Sequence, residues 1–200
     1  MKAHIATQGV SGAGSEPTPA ARRWNIVLTV QPAPGAVHEL LGALHTFGEF
    51  HMTPFHCVCS GWVKDIGTFL DALLEAQQAG RHWTKNVARV VPLARTFEFA
   101  PDSLKGKLEA AIADIAADID GGTCFVRVER RGLPDQVQTA ELEHMIADQV
   151  FAAVEARGRS LRTSFSDPDY IIAVETLDTA CGVALITRDL RRRYPFVRVR

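Results

Sequence analysis

A chain of 200 residues can form one large domain or two small ones. Hydrophobic residues make up 46% and charged residues 22% of the sequence, a globular balance that excludes a fibrous or wholly disordered protein. The formal net charge of −1 argues against a protein that coats nucleic acid through bulk electrostatics. Since no apolar run approaches the ~20 residues that span a bilayer, and the start lacks a signal peptide's apolar core, we expect a cytoplasmic protein with no membrane partner.

The first half of the chain predicts a disordered tail followed by a compact α/β unit. Residues 1–22 are rich in Gly, Ser, Pro and Ala and contain few large apolar residues, as is typical of disorder. The β-α-β-α-β order that follows predicts a ferredoxin-like α/β sandwich over residues 23–100. Its predicted elements are a strand at 24–30, a helix around 37–47, a strand at 49–63, a helix capped by Asp65 and ended by Gly80, and extended chain over 87–99.

The second half predicts another α/β domain over residues 101–200, so the fold class is α/β of the α+β kind. Amphipathic spacing indicates two helices, and runs of β-branched residues between glycines and prolines indicate four strands. The predicted elements are a helix at 104–119, a strand at 123–131, a helix at 139–157, and strands at 160–163, 170–176 and 182–188.

One strand of the second domain carries three arginines, Arg127, Arg130 and Arg131. Strand alternation places Arg127 and Arg131 on one face and Arg130 on the other. Guanidinium groups are costly to bury and bind phosphate well, so an anionic partner is one interpretation. The alternative is an exposed strand edge whose charges prevent association with other sheets.

A second basic cluster lies near the end of the chain, where residues 188–200 contain six arginines and one acid. Its candidate phosphate-binding residues are Arg188, Arg191, Arg192 and Arg193. A basic patch on a neutral chain indicates a localised anion site, although a solvated charged tail has the same composition. The apolar run at 194–197 favours docking onto the fold.

Candidates for catalysis and metal binding are few. The sequence contains no Gly-rich phosphate loop, no G-x-S-x-G elbow and no H-E-x-x-H motif, so no catalytic residue is predicted. Cys57 and Cys59 lie near several histidines, but the C-x-C spacing lacks a second ligand pair, and alternation with Phe55 indicates small core residues on one strand face. We therefore expect neither a metal nor another cofactor, and an enzyme that uses residues 45–59 is kept as a third hypothesis.

Residues of about 103–189 resemble the THUMP domain of tRNA-modifying enzymes such as thiouridine synthetases. The resemblance rests on the order and spacing of an amphipathic helix, the run TCFVRVERRG at 123–132, the acidic helix after it, DPDYIIAVE at 167–175 and GVALI at 182–186. Residues 24–99 look like the ferredoxin-like domain that precedes THUMP in such proteins. The run RVVPL at 89–93 is similar to the junction in stand-alone THUMP proteins that serve as adaptors for tRNA acetylation.

The resemblance implies a platform for the tRNA acceptor end and its single-stranded 3′ terminus. It assigns phosphate contacts to Arg127, Arg130 and Arg131, and we extend these to Arg188, Arg191, Arg192 and Arg193. Because about a dozen residues follow the THUMP-like segment, we expect a non-enzymatic adaptor that presents tRNA to a modifying enzyme in trans, with no DNA partner. The alternative is a protein–protein scaffold with a THUMP-like fold that no longer binds RNA.

Overall fold

The computed structural model of this protein describes residues 23–132 and 138–199. The tail predicted over residues 1–22, as well as Arg200, therefore lies outside the described residues. Across the described ranges, every helix is too short or too polar to span a lipid bilayer. The described chain forms two β-sheets with helices packed on them, which confirms the predicted α+β class.

The first sheet is a four-stranded antiparallel sheet in the order β2-β3-β1-β4. Helices α1 and α2 bury its core through residues such as Leu40, Leu44 and Leu70. This β-α-β-β-α-β arrangement is ferredoxin-like, as predicted. The elements are β1 Ile26–Val30, α1 Ala36–Leu44, β2 Glu49–Met52, β3 Val58–Trp62, α2 Ile66–Gln78 and β4 Val87–Pro92.

The single strand predicted over residues 49–63 is instead a hairpin of β2 and β3. The turn between them contains Pro54, which cannot donate to a sheet, and the Thr53 hydroxyl donates to the Val58 carbonyl at 2.8 Å. Cys57 lies in this turn with φ of 57° and is half-buried, so the prediction that it shares a core-facing strand position with Cys59 is wrong. Cys59 itself is buried in β3.

The second sheet has five strands in the order β5-β9-β8-β6-β7, with β6 parallel to both β7 and β8. Helices α3 and α4 pack on one face, where they bury residues such as Ile112, Ile146 and Val150. The elements are β5 Arg95–Glu98, α3 Leu104–Ala116, β6 Gly122–Glu129, α4 Thr139–Glu155, β7 Leu161–Thr163, β8 Tyr170–Leu177, β9 Ala180–Thr187 and α5 Arg188–Arg193.

The other face of the second sheet shares a core with the first sheet. Ile171, Ala184 and Ile186 lie in the same hydrophobic cluster as the residues under α1 and α2. A Cβ atom at Gly182 would lie 2.6 Å from the Leu93 side chain, so a larger residue there would have to displace the packing between the sheets. The two sheets are therefore packed directly against each other.

The domain division at residues 100 and 101 stays a prediction, but chain segments on each side of it contact the other half. β5 precedes the division and pairs with β9 in the second sheet. Val197 follows it and forms a parallel bridge with Val90 of β4. Tyr194, Phe196 and Val197 are at most 4% exposed, which confirms that the run at 194–197 docks onto the fold instead of forming a solvated tail.

Candidate functional site

The arginine strand β6 alternates as its sequence predicts. Cys124, Val126 and Val128 are buried toward α3 and α4, whereas Phe125 and Arg127 are only partly buried on the opposite face. This opposite face is the one that meets the first sheet along β8 and β9. The arginines of β6 therefore lie near the junction of the two sheets, and their burial differs strongly from one to the next.

Arg131 belongs to a cluster of ionised side chains at that junction. Its Nη1 donates a short hydrogen bond to Oε2 of Glu175, whose side chain is completely buried. Glu129 Oε2 lies 3.6 Å from Nη2 of Arg131. Arg89 of β4 lies 3.7 Å from Glu175 and 3.9 Å from Glu129, so the cluster joins the two sheets.

The buried cluster determines what Arg131 can do. Burial raises the pKa of the Glu175 carboxyl, and the guanidinium groups of Arg131 and Arg89 act in the opposite direction. Removing either arginine would leave this carboxylate without part of its compensation. Because Arg131 is 12% exposed, it cannot face a phosphate without breaking a buried ion pair.

The two other arginines of this segment are more accessible. Arg127 is 38% exposed and lies 3.6 Å from Glu129 and 3.9 Å from Glu143, distances that are long for ion pairs. Arg130 is half-buried just beyond the end of β6 and is engaged in contacts of its own. Arg127 is thus the member of the strand cluster that is best placed to meet a ligand.

The second arginine cluster forms helix α5, an element that the sequence patterns do not predict. Thr187 begins the helix, since its hydroxyl oxygen accepts a hydrogen bond from Leu190 N at 3.1 Å. Three of its four arginines occupy the last turn, where positive charge is favoured by the helix dipole. The strand predicted to run to residue 188 therefore ends at Thr187, and Arg188 starts the helix.

The Asp-Pro-Asp turn at 167–169 holds two arginines of α5. Arg188 places Nε 3.0 Å from Asp167 and Nη1 2.5 Å from Asp169. Arg191 lies 3.3 Å from Asp167 and also donates to the carbonyl oxygen of Pro168. The turn therefore orients these guanidinium groups and neutralises part of their charge.

Asp169 is in turn fixed by β6. The hydroxyl and backbone N–H of Thr123 both donate to its carboxylate, at 2.6 and 2.8 Å. These hydrogen bonds, with a smaller contribution from Arg188, lower the pKa of Asp169 below its usual value. The turn consequently stays negatively charged and anchors α5 to the end of the sheet.

The remaining arginines of α5 differ from each other. Arg193 is 63% exposed, forms a 2.7 Å ion pair with Asp71 of α2, and lies over the Tyr194 ring. Arg192 is exposed at the helix surface. Arg192 lines a shallow polar depression with Asp169 and Arg188. Tyr170, Thr187 and Asp189 complete its lining, so two carboxylates balance the two guanidinium groups there.

The structure separates the two predicted arginine clusters. Tyr170 of β8 pairs with Cys124 of β6 and with Thr187 of β9, so α5 lies level with the beginning of β6. Arg130 follows Cys124 by six residues, or about 20 Å along an extended strand. The clusters therefore lie toward opposite ends of the second sheet. In α5, Arg192 and Arg193 are exposed, whereas Arg188 and Arg191 are half-buried.

An aromatic pair beside the α5 cluster is absent from the sequence-based candidates. Phe165, in the segment between β7 and β8, is 78% exposed. Its ring meets Phe125 of β6 edge to face, with centroids 5.5 Å apart and planes at 71°. Its sequence signal is a phenylalanine between two serines, just before the Asp-Pro-Asp turn.

The region of residues 45–59 does not assemble a metal centre. In the part of the chain that the structure describes, no group of three or more His, Cys, Asp or Glu side chains could hold a metal ion. Cys57 Sγ lies 3.6 Å from His56 Nε2. Burial raises the pKa of the Cys59 thiol to about 11, which keeps it protonated and unreactive at neutral pH.

Comparison with known proteins identifies the fold. Neither protein-family models nor curated proteins match the sequence. The structure is similar to PH1313 from Pyrococcus horikoshii Ot3, with a TM-score of 0.58 at 10% identity over 82% of this chain and 54% of that one. It is also similar to TrmN from Thermus thermophilus, with a TM-score of 0.59 at 14% identity over 81% of this chain and 44% of that one.

A third similar structure is a 4-thiouridine synthetase in complex with RNA and bound ATP. Its TM-score is 0.52 at 9% identity, covering 82% of this chain and 41% of the synthetase chain. The chain thus spans about half or less of the length of these structures. These similarities support the THUMP-like fold that the sequence resemblance predicts.

Proposed function

We propose that this protein is a non-catalytic RNA-binding module that presents tRNA to a modifying enzyme in trans. The observation that carries the proposal is α5, a six-residue helix with four arginines, held at one end of the second sheet by the Asp-Pro-Asp turn. Arginines in fixed geometry are suited to phosphate oxygens. The similarity in fold to a synthetase crystallised with RNA supports the same interpretation.

The tRNA acceptor end is the proposed target because the resemblance to THUMP domains implies it. The sequence contains no phosphate-binding glycine loop and no nucleophile elbow, which supports a role without catalysis. The cluster is small, so we expect moderate affinity and a localised contact. Arg127, Arg130, Arg188, Arg191, Arg192 and Arg193 remain the candidate contacts, and of these Arg192 and Arg193 are exposed.

A second candidate function, a protein–protein scaffold, is favoured by the charge pairing within the arginine clusters. Arg131, Arg188, Arg191 and Arg193 all form ion pairs with carboxylates of this chain. The net charge of −1 also gives no general attraction to nucleic acid. On this interpretation the arginines stabilise the fold and its junctions, and the partner is a protein.

Salt dependence of tRNA binding separates the two functions. For three to five phosphate contacts, log K should fall linearly with log salt at a slope of roughly −2 to −4. A tRNA without its single-stranded 3′ terminus should bind more weakly than the intact tRNA. Absent or salt-independent binding would refute the RNA-binding function. A partner protein recovered after nuclease treatment, without tRNA enrichment, would support the scaffold instead.

A further inference from the structure

A small cavity opens beside the aromatic pair of Phe125 and Phe165. Its volume is about 250 Å³, below the 300–1,000 Å³ typical of sites for drug-sized ligands. It lies between β6, α4 and the segment that follows β7. Its apolar walls come mainly from Val126, Ala147, Val150, Phe151, Leu161 and Phe165. Space of this size and character suits a single planar ring system.

The exposure of Phe165 is informative because of where the ring lies. Isolated exposed hydrophobic residues are common on proteins and need no explanation. Phe165 differs because it borders a cavity and is oriented by a second ring, Phe125, at 5.5 Å. An aromatic ring held in this way presents a flat surface on which another ring can stack.

The cavity also has a polar side. Glu143 and His144, on α4, contribute to the lining with Thr163 of β7. Oε1 of Glu143 accepts a hydrogen bond from Val128 N at 2.9 Å, and Nδ1 of His144 contacts the Ala140 carbonyl at 2.8 Å. These contacts fix the two side chains at the cavity wall. A few fixed polar groups in an apolar cavity can orient a flat ligand, whose ring faces contact the apolar wall while its edge atoms form hydrogen bonds.

Arginines flank the aromatic pair along the strand. Arg162 of β7 is exposed and pairs in register with Thr123, so it lies with Phe125 and Arg127 on the sheet face opposite Val126. Arg127 extends toward the cavity from that face, since its Nη1 lies 3.9 Å from Oε1 of Glu143 in the cavity wall. Thr123 and Arg127 are four residues apart, which places the two arginines about 13 Å apart along the strand, on either side of Phe125. The ligand that fits is therefore a planar ring attached to a chain with negative charges.

We infer that this cavity binds one unpaired RNA base, stacked on Phe165, with its backbone phosphates near Arg127 and Arg162. The inference rests on the proposed RNA-binding function and adds a base contact to it. Stacking on an aromatic ring is the usual means by which proteins hold single-stranded nucleic acid without reading its sequence.

An extended peptide is the competing occupant, because β7 pairs only with residues 122–124 and leaves the rest of that β6 edge without a strand partner in the described chain. Glu143 already accepts from Val128 N, which removes an edge donor that a peptide strand would need. The flanking arginines favour a phosphate backbone over a neutral peptide. The observations therefore favour RNA.

The test uses the full chain and a short single-stranded RNA in which one base at a time is replaced by an abasic residue. Wild-type protein should lose affinity when the stacked base is removed. The variant Phe165→Leu should bind the intact strand roughly 5- to 150-fold more weakly and should be insensitive to the abasic residue at that position. Phe165→Trp should restore both the affinity and its dependence on the base at that position, because an aromatic ring of either size can stack on the base.

Two controls make the result specific. Met52→Ala removes the other large exposed hydrophobic residue of the described chain, which is 54% exposed in β2, and should leave binding unchanged. The salt slope of Phe165→Leu should equal that of wild type, since no phosphate contact is lost. Circular dichroism should show that this exposed substitution leaves the fold intact.

The inference and the proposed function fail in different ways. Equal affinity of wild type and Phe165→Leu for single-stranded RNA would overturn the base-binding cavity while leaving salt-dependent RNA binding in place. Equal weakening of a fully paired RNA duplex would also overturn it, since duplex bases cannot enter the cavity. Wild-type protein that binds no RNA at any salt concentration would overturn the proposed function itself.

Discussion

The two arginine clusters of this protein have similar sequences and different structural roles. Arg131 is 12% exposed and compensates the buried Glu175 carboxylate at the junction of the two sheets. In α5, Asp167 and Asp169 hold the half-buried Arg188 and Arg191, whereas Arg192 and Arg193 are exposed. A run of arginines can thus be part of the packing or part of a ligand surface. The position of its acidic partners decides between the two.

The largest expected effect is on stability, from Arg131→Met. This change leaves Glu175 buried with one guanidinium partner fewer, so the free energy of unfolding should fall by about 3–5 kcal/mol. Urea denaturation measures it. Arg193→Met, which removes an exposed ion pair with Asp71, should change stability by no more than about 1 kcal/mol. If both variants were equally stable, the assignment of Arg131 to the packing would be wrong.

The second-largest expected effect is the loss of tRNA affinity in the variant Arg192→Ala. Loss of one phosphate contact should weaken tRNA binding several-fold and make the salt slope shallower by about 0.7–0.9. Unfolding free energy should stay within ~0.5 kcal/mol of wild type, because the side chain is exposed. Arg81→Ala removes the same charge from an exposed position near α2 and is the matched control. Identical slopes for the two variants would contradict an interface at α5.

The smallest expected effect is also on tRNA binding, and it tests the role of the Asp-Pro-Asp turn. Asp167→Asn removes a carboxylate that competes with RNA for Arg188 and Arg191, so tRNA should bind about two- to fivefold more tightly. Asp114→Asn is the control, because Asp114 is a similarly exposed carboxylate that pairs with Arg95 at 3.2 Å. Filter binding at one fixed salt concentration measures both. Weaker binding by Asp167→Asn would mean that orientation of the arginines matters more than their charge.

The parts of the fold that depend on local signals could be predicted from the sequence. Asp65 caps α2, where its carboxylate accepts from Thr68 N at 2.6 Å, and the chain turns away at Gly80. The alternation along β6 correctly separates Val126 and Val128 from Arg127. Amphipathic spacing and strand alternation indicate which side chains of a single helix or strand are buried. They predict the structure correctly where it depends on that one element alone.

The parts that depend on distant contacts could not be predicted. Arg131 and Glu175 are 44 residues apart, and Arg89 comes from the other sheet, so no local pattern marks them as a buried group. α5 has six residues, too few for an amphipathic period. Phe165 looks like an ordinary loop residue until the fold places it against Phe125. The candidate site was therefore only partly visible in the sequence.

The docking of residues 194–197 has a consequence for how the protein is made. Val90 N donates to the Phe196 carbonyl at 2.9 Å, and the Tyr194 hydroxyl donates to Asp71 at 2.6 Å. β4 therefore gains its last neighbour more than a hundred residues after its own synthesis. During synthesis, this edge of the first sheet stays uncovered until residues 194–197 have left the ribosome, and an uncovered strand edge is prone to pair with other chains.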